Sequence, residues 1–148
     1  KVLGGGVNCD SLLESTQNQY AEYVGKRYLE ENISLNGVQS TASGLQYRRV
    51  KKGTGPCPND KSQVTVHYRG TLVSGEVFDS SYDRGEPISF GLDKVIPGWT
   101  EGLQLMKVGA AFKFYIPYEL AYGSRSAGSI PAYSTLIFEV ELLDFKNP

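Results

Sequence analysis

The stretch VIPGWTEGLQLM, Val95 to Met106, carries the only tryptophan of the chain, directly after a Pro-Gly pair. Trp99, Leu103 and Met106 stand at i, i+4 and i+7 on one helical face, with Pro97 opening the segment and Lys107 and Gly109 closing it. On both sides the period changes to two. Val64, Val66 and Tyr68 alternate with Thr65, His67 and Arg69; Phe112, Phe114 and Ile116 alternate with Ala111, Lys113 and Tyr115; Leu136, Phe138, Val140 and Leu142 alternate with Ile137, Glu139 and Glu141. Such alternation marks antiparallel strands with one buried face. A short helix among them buries its apolar face against the sheet. The expected fold class is α+β: a twisted antiparallel β-sheet wrapped around one short α-helix.

Upstream the pattern is different. Ser11 and Glu14 offer a capping box, and Leu13, Tyr20, Val24 and Tyr28 recur at multiples near 3.6 residues, which predicts an amphipathic helix to about Glu31. Its stripe is aromatic and only moderately apolar, so it packs lightly, on its own domain or on a partner chain. Asn36-Gly37 and STASG, Ser40 to Gly44, form a polar connector. The expected organisation is an N-terminal helical extension and linker over residues 1–40 and a single domain over 41–148. The 148 residues, 40% of them hydrophobic, fill one ordinary core and not two.

Composition removes several classes of function. The net charge is -1, and the most basic run, RRVKK at Arg48 to Lys52, has no interleaved aromatic that could stack on a base, so no nucleic-acid partner is expected. No apolar run approaches the roughly 18–20 residues of a bilayer span, so no membrane span is expected. The start, KVLGGGVNCD, is neither an initiator Met nor a signal peptide and reads as a trimmed or mature form. Cys9 and Cys57 allow one bridge at most, and Asn32-Ile33-Ser34 fits a glycosylation acceptor. His67 is the only histidine and lies opposite in phase to the apolar face, so it reads as a structural residue and no metal is expected. The chain has no G-x-S-x-G elbow, and Gly53 to Pro56 lacks the Lys-Ser/Thr of a phosphate loop; no cofactor is expected.

What remains is an excess of aromatic residues near loops: Tyr68, Phe78, Phe90, Trp99, Tyr122 and Phe138, joined by Val95, Ile96 and Ile130. Each alone reads as core. In order, however, VHYRGTLVSGEVFDSSYDRGEPISFGL, VIPGWTEGLQLMKVG, LAYGSRSAGSIP and LIFEVELLDF resemble the FKBP-type peptidyl-prolyl cis-trans isomerases, which bind the macrolides tacrolimus and rapamycin. The likeness covers roughly Gly44 to Phe145. TASGLQYRRVKKGTG and the N-terminal helix look like the macrophage infectivity potentiator branch, whose members carry a helical extension and are generally exported.

The resemblance implies a rotamase that accelerates X-Pro rotation noncovalently and takes proline-containing polypeptides and tacrolimus- or rapamycin-type macrolides as partners. It places Trp99 as the floor of an aromatic bowl with Tyr68, Phe90, Val95, Ile96 and Phe138 as walls. The Ile96 N–H and the Tyr122 hydroxyl donate to substrate carbonyls, and Asp79, held by Tyr68 and Arg84, points at the twisting amide. Phe78 and Ile130 line the pocket for the residue before proline. The alternative reading of Asp79-Ser80-Ser81 is an Asx turn. Ile88 stands where well-known small members carry phenylalanine. The loop Ser124 to Ser129 looks one residue shorter and lacks their His-Pro pair, so macrolide contacts there are expected to differ. The helix is shorter than the dimerising arm of the branch, so a monomer is expected, secreted or extracytoplasmic. Two other functions remain open: a module that binds proline segments as a chaperone with little turnover, and an adhesin that works through its helix.

Overall fold

The computed structural model describes residues 22–35, 37–123, 130 and 132–146. Helix α1 covers residues 22–32, and the expected start near Asp10 or Ser11 lies outside the described residues. The elements that follow are β1 (Val38–Ser40), β2 (Gln46–Lys51), β3 (Gln63–Leu72), β4 (Val77–Ser80), α2 (Ser81–Arg84), β5 (Ile88–Gly91), α3 (Pro97–Leu103), β6 (Ala111–Ile116) and β7 (Leu136–Lys146). The strands form one antiparallel sheet in the order β1-β2-β6-β7-β3-β4, with β5 pairing β3 on the length that β4 leaves free. This is the expected α+β architecture.

The period-two residues account for the inner face. Val64, Val66, Phe112, Phe114, Ile116, Leu136, Val140 and Leu142 are all buried, and they share one core with Trp99, Leu103 and Met106. Two glycines set how closely α3 approaches. A Cβ on Gly98 would stand 2.6 Å from Ile116 Cγ2, and one on Gly102 2.7 Å from Phe114 Cε1. Spaced four residues apart, they let the helix backbone rest directly on β6. Helix α3 ends at Leu103 with Gln104 as its cap, before the expected closure at Lys107 to Gly109. Turns stabilised by Leu105 N–H to Gly102 O and Met106 N–H to Leu103 O carry Met106 into the core without helix.

The connector holds an element that its composition hides. Val38–Ser40 pairs with β2 from Val38 opposite Arg48 to Ser40 opposite Gln46. Three residues are too short to display alternation, and Gly37 (φ 88°) and Gly44 (φ 97°) bracket the strand in a conformation that favours glycine.

Helix α1 packs on its own chain, against the outer face of the sheet. Gly25 is buried where a Cβ would meet Thr135 Oγ1 at 2.2 Å, and the rings of Tyr28 and Tyr115 lie 6.2 Å apart. Asn32, 3% exposed, donates from Nδ2 to Gln46 Oε1 at 2.8 Å, and Gln46 Nε2 donates to Leu29 O at 3.0 Å. Tyr115, on the polar phase of β6, is therefore buried. The same bond closes the Asn32 amide to a glycan in the folded protein, because the nitrogen that would carry the sugar is occupied inside the interface.

Candidate functional site

On the inner side of the sheet, between β3, β4, β5, β7 and the start of α3, lies a cavity of about 390 Å³. It is lined by Tyr68, Phe78, Asp79, Phe90, Lys94, Val95, Ile96, Trp99, Tyr122 and Phe138. Trp99 is its hub. Edge-to-face contacts surround the indole: Tyr68 at 5.3 Å and 87°, Phe90 at 5.1 Å and 62°, Phe138 at 5.1 Å and 89°. Phe138 meets Phe78 edge-on at 5.5 Å. This geometry suits the ring quadrupoles and fixes each aromatic through its neighbours. The indole is held from its sides by packing and is 5% exposed.

Gly70 in β3 makes part of this wall possible. A Cβ there would lie 2.6 Å from Phe78 Cζ and 2.7 Å from Phe138 Cε1, so only a glycine lets the two rings close over the strand.

The polar corner is a three-membered network. Asp79 is the penultimate residue of β4, opposite Gly70. Its Oδ2 accepts from the Tyr68 hydroxyl, its Oδ1 accepts from Arg84 at 2.5 Å, and the Tyr68 hydroxyl also accepts from the second Arg84 nitrogen at 3.3 Å. Ser80 caps α2 through Asp83 N–H, and this turn brings Arg84 back onto Asp79. The Ser81 hydroxyl, fully buried, accepts from Tyr68 N–H at 2.7 Å and contacts His67 Nδ1 at 2.9 Å, which fixes the backbone beneath Tyr68. Burial pushes the Asp79 carboxyl up, but the hydrogen bonds from Tyr68 and Arg84 and the Arg84 charge outweigh it and hold the group below its ordinary value. Burial, then the bond to Asp79, raises the Tyr68 phenol. The hydrogen bonds to Tyr68 and Asp79 raise Arg84. At neutral pH the corner is thus a carboxylate and a guanidinium bridged by a neutral phenol.

Two further donors face the cavity from loops. Tyr122 is 41% exposed, and its hydroxyl has no hydrogen-bond partner among the described residues. The Ile96 backbone N–H, just ahead of α3, has none there either. Arg84 stands behind Asp79 and not on the cavity wall. Ile130 is 6% exposed and belongs to the core cluster; the lining does not include it. Lys94, exposed at the rim, was missed by the sequence reading, and its only signal is a position two residues before Ile96. The arrangement offers an apolar, aromatic bowl with one oriented carboxylate and two free donors, the chemistry of binding a mostly apolar group that carries carbonyls.

Comparisons with known proteins agree with the fold. The family model described as FKBP-type peptidyl-prolyl cis-trans isomerase matches residues 55–143, and that of the domain amino terminal to it matches residues 11–48. The chain is 57% identical over 124 residues to the FKBP-type peptidyl-prolyl cis-trans isomerase FkpA of Aeromonas hydrophila, across 84% of this chain and 46% of the relative. It is 56% identical over 121 residues to the FKBP-type 22 kDa peptidyl-prolyl cis-trans isomerase of Escherichia coli strain K12, across 81% of this chain and 59% of the relative. The crystal structure of FkpA from Escherichia coli superposes with a TM-score of 0.89 at 48% identity, covering 92% of this chain and 64% of that one. The chain therefore spans about half the length of the curated relatives it matches.

Proposed function

The chain belongs to the FKBP-type peptidyl-prolyl cis-trans isomerase family, and from that premise we propose that it is an active isomerase of X-Pro bonds in polypeptides. The observation that carries the reading is the cavity in which Trp99, Tyr68, Phe90 and Phe138 enclose apolar space beside an ionised Asp79.

Rotation about a peptide bond has a barrier of about 18–20 kcal/mol because the amide loses C–N resonance at the twisted midpoint. The twisted carbonyl is less polar and the proline nitrogen more pyramidal. A pocket that strips water from the amide raises the planar state relative to the twisted one, and each 1.4 kcal/mol of such difference is about tenfold in rate. In this reading Trp99 receives the prolyl ring. The Ile96 N–H and Tyr122 hydroxyl hold the flanking carbonyls, and the Asp79 carboxylate faces the twisting amide. Tyr68 and Arg84 position Asp79, while Phe78 shapes the approach of the residue before proline. Nothing in this chemistry requires a nucleophile.

We extend the proposal to the finer features. Macrolides of the tacrolimus and rapamycin type compete for the bowl. Residues 1–40 form the helical extension and residues 41–148 the isomerase domain. The likeness to the infectivity potentiator branch supports an exported folding or virulence factor. The chain acts as a monomer, in keeping with a helical extension shorter than the dimerising arm of that branch. The test is peptide isomerisation with and without tacrolimus, in the full chain and after deletion of residues 1–40. Activity that tacrolimus blocks supports the isomerase reading. Activity that tacrolimus leaves untouched places the drug elsewhere. Adhesion lost with the helix while isomerisation survives would favour the adhesin as a second function.

A further inference from the structure

Resting on that reading, we propose that helix α1 is a positioning element of the site: through Glu22 and Tyr118 it holds the turn that presents Tyr122 to the cavity. Tyr122 reaches the cavity from a turn whose frame is set at its two ends. The Tyr118 carbonyl accepts from Ala121 N–H at 3.0 Å and from Gly123 N–H at 2.9 Å, and the Gly123 carbonyl accepts from Tyr133 N–H at 2.9 Å. Tyr133 is the only non-glycine residue with positive φ among the described residues, at 60°, a conformation that neighbouring contacts must hold. The Tyr118 ring packs edge-on against Tyr133 at 5.2 Å. One residue, through its carbonyl and its ring, thus braces both ends of the turn.

Tyr118 is itself fixed from outside the domain core. Its hydroxyl donates to Glu22 Oε2 at 2.7 Å, across 96 positions of sequence, and Tyr118 takes no part in the core cluster. Glu22 has a rigid platform, since the same helix is docked by Gly25 on Thr135, Tyr28 on Tyr115 and Asn32 on Gln46. The Tyr118 hydrogen bond holds the Glu22 carboxyl below its ordinary value and pushes the Tyr118 phenol up to about 12, so the brace stays charged and intact at neutral pH. The brace ends on the turn that carries Tyr122.

The test is a double-mutant cycle read two ways: turnover of a Leu-Pro-Phe peptide, and its Kd from the fluorescence of Trp99, the only tryptophan. Glu22→Leu and Tyr118→Phe are expected to lower kcat/KM and raise Kd by about 3–10-fold, the range of one typical net hydrogen bond. Glu22→Gln keeps the acceptor but drops the ion pair with Lys26 at 3.5 Å, and should stay within about twofold of the parent. In a Tyr122→Phe background, Glu22→Leu should cost nothing further, because the group it positions is gone. Equal losses in both backgrounds, or no loss in the parent, would overturn the proposal. A parent that binds the peptide without accelerating it would refute the isomerase reading alone, and the coupling would still be read in Kd.

Discussion

Gly70→Ala tests the cavity wall most sharply, because the usual expectation has the opposite sign. In an unstrained strand position, glycine to alanine gains about 0.4–1 kcal/mol by restricting the unfolded chain. At Gly70 the new methyl would stand 2.6 Å from Phe78 Cζ, 2.7 Å from Phe138 Cε1 and 2.9 Å from Phe78 Cε1. Carbon atoms pack comfortably at about 3.5–4.0 Å, so the rings must retreat by roughly 1 Å. Phe138 is backed by Trp99 at 5.1 Å and Tyr68 at 6.2 Å, which leaves Phe78, only partly buried, to move. Overpacking of this kind costs about 2 kcal/mol at mid-range and the chain-entropy gain returns about 0.7, so the net loss is about 1.3 kcal/mol. For a chain of 148 residues that corresponds to a Tm roughly 3–5 °C lower. Since Phe78 lines the cavity, peptide turnover should fall with stability. The measurements are a thermal melt by circular dichroism and kcat/KM on the same preparation. A Tm at or above the parent's with unchanged turnover would refute the wall as described.

Three other perturbations follow from the same contacts. Gly25→Ala should detach α1, because its Cβ would meet Thr135 Oγ1 at 2.2 Å; the expected loss is about 1–3 kcal/mol, seen in a melt. Asn32→Ala leaves the Gln46 amide oxygen without its donor in the buried interface and should cost about 1–3 kcal/mol in a urea titration, while Asn32→Gln should not restore the geometry. The Asp79 carboxyl titrates below its ordinary 3.8, so its contribution to stability is fully present above that value and is lost as pH falls through the lower folded value. Urea midpoints of the parent and Asp79→Asn should therefore run parallel from about pH 8 to 5 and converge in more acid solution; parallel curves throughout would contradict the network.

The sheet and its central helix were legible because alternation and helical spacing are local signals. Val64, Val66 and Phe114 announce their face by phase alone. Features set by what packs from elsewhere were not. Tyr115 stands on the polar phase and is buried only because α1 covers it, and Gly25 and Asn32, which dock that helix, belong to no hydrophobic stripe. The strand Val38–Ser40 is too short to alternate. The candidate site poses another difficulty: Trp99, Tyr68 and Phe138 are 5–6% exposed, so they are core residues and cavity walls at once. Composition could not separate the two roles; the order of the motifs pointed to the bowl. Lys94 reaches the rim and Ile130 is buried in the core, placements that no spacing encodes.

The central claim is catalysis in the aromatic bowl, and the direct measurement is the cis-to-trans relaxation rate of a Leu-Pro-Phe peptide with the full chain and with Trp99→Leu. Acceleration by the parent and a loss of at least about tenfold in the variant are expected, equivalent to about 1.4 kcal/mol of differential stabilisation. A relaxation rate equal to that of the peptide alone, in a parent chain that still binds the peptide, would contradict that claim.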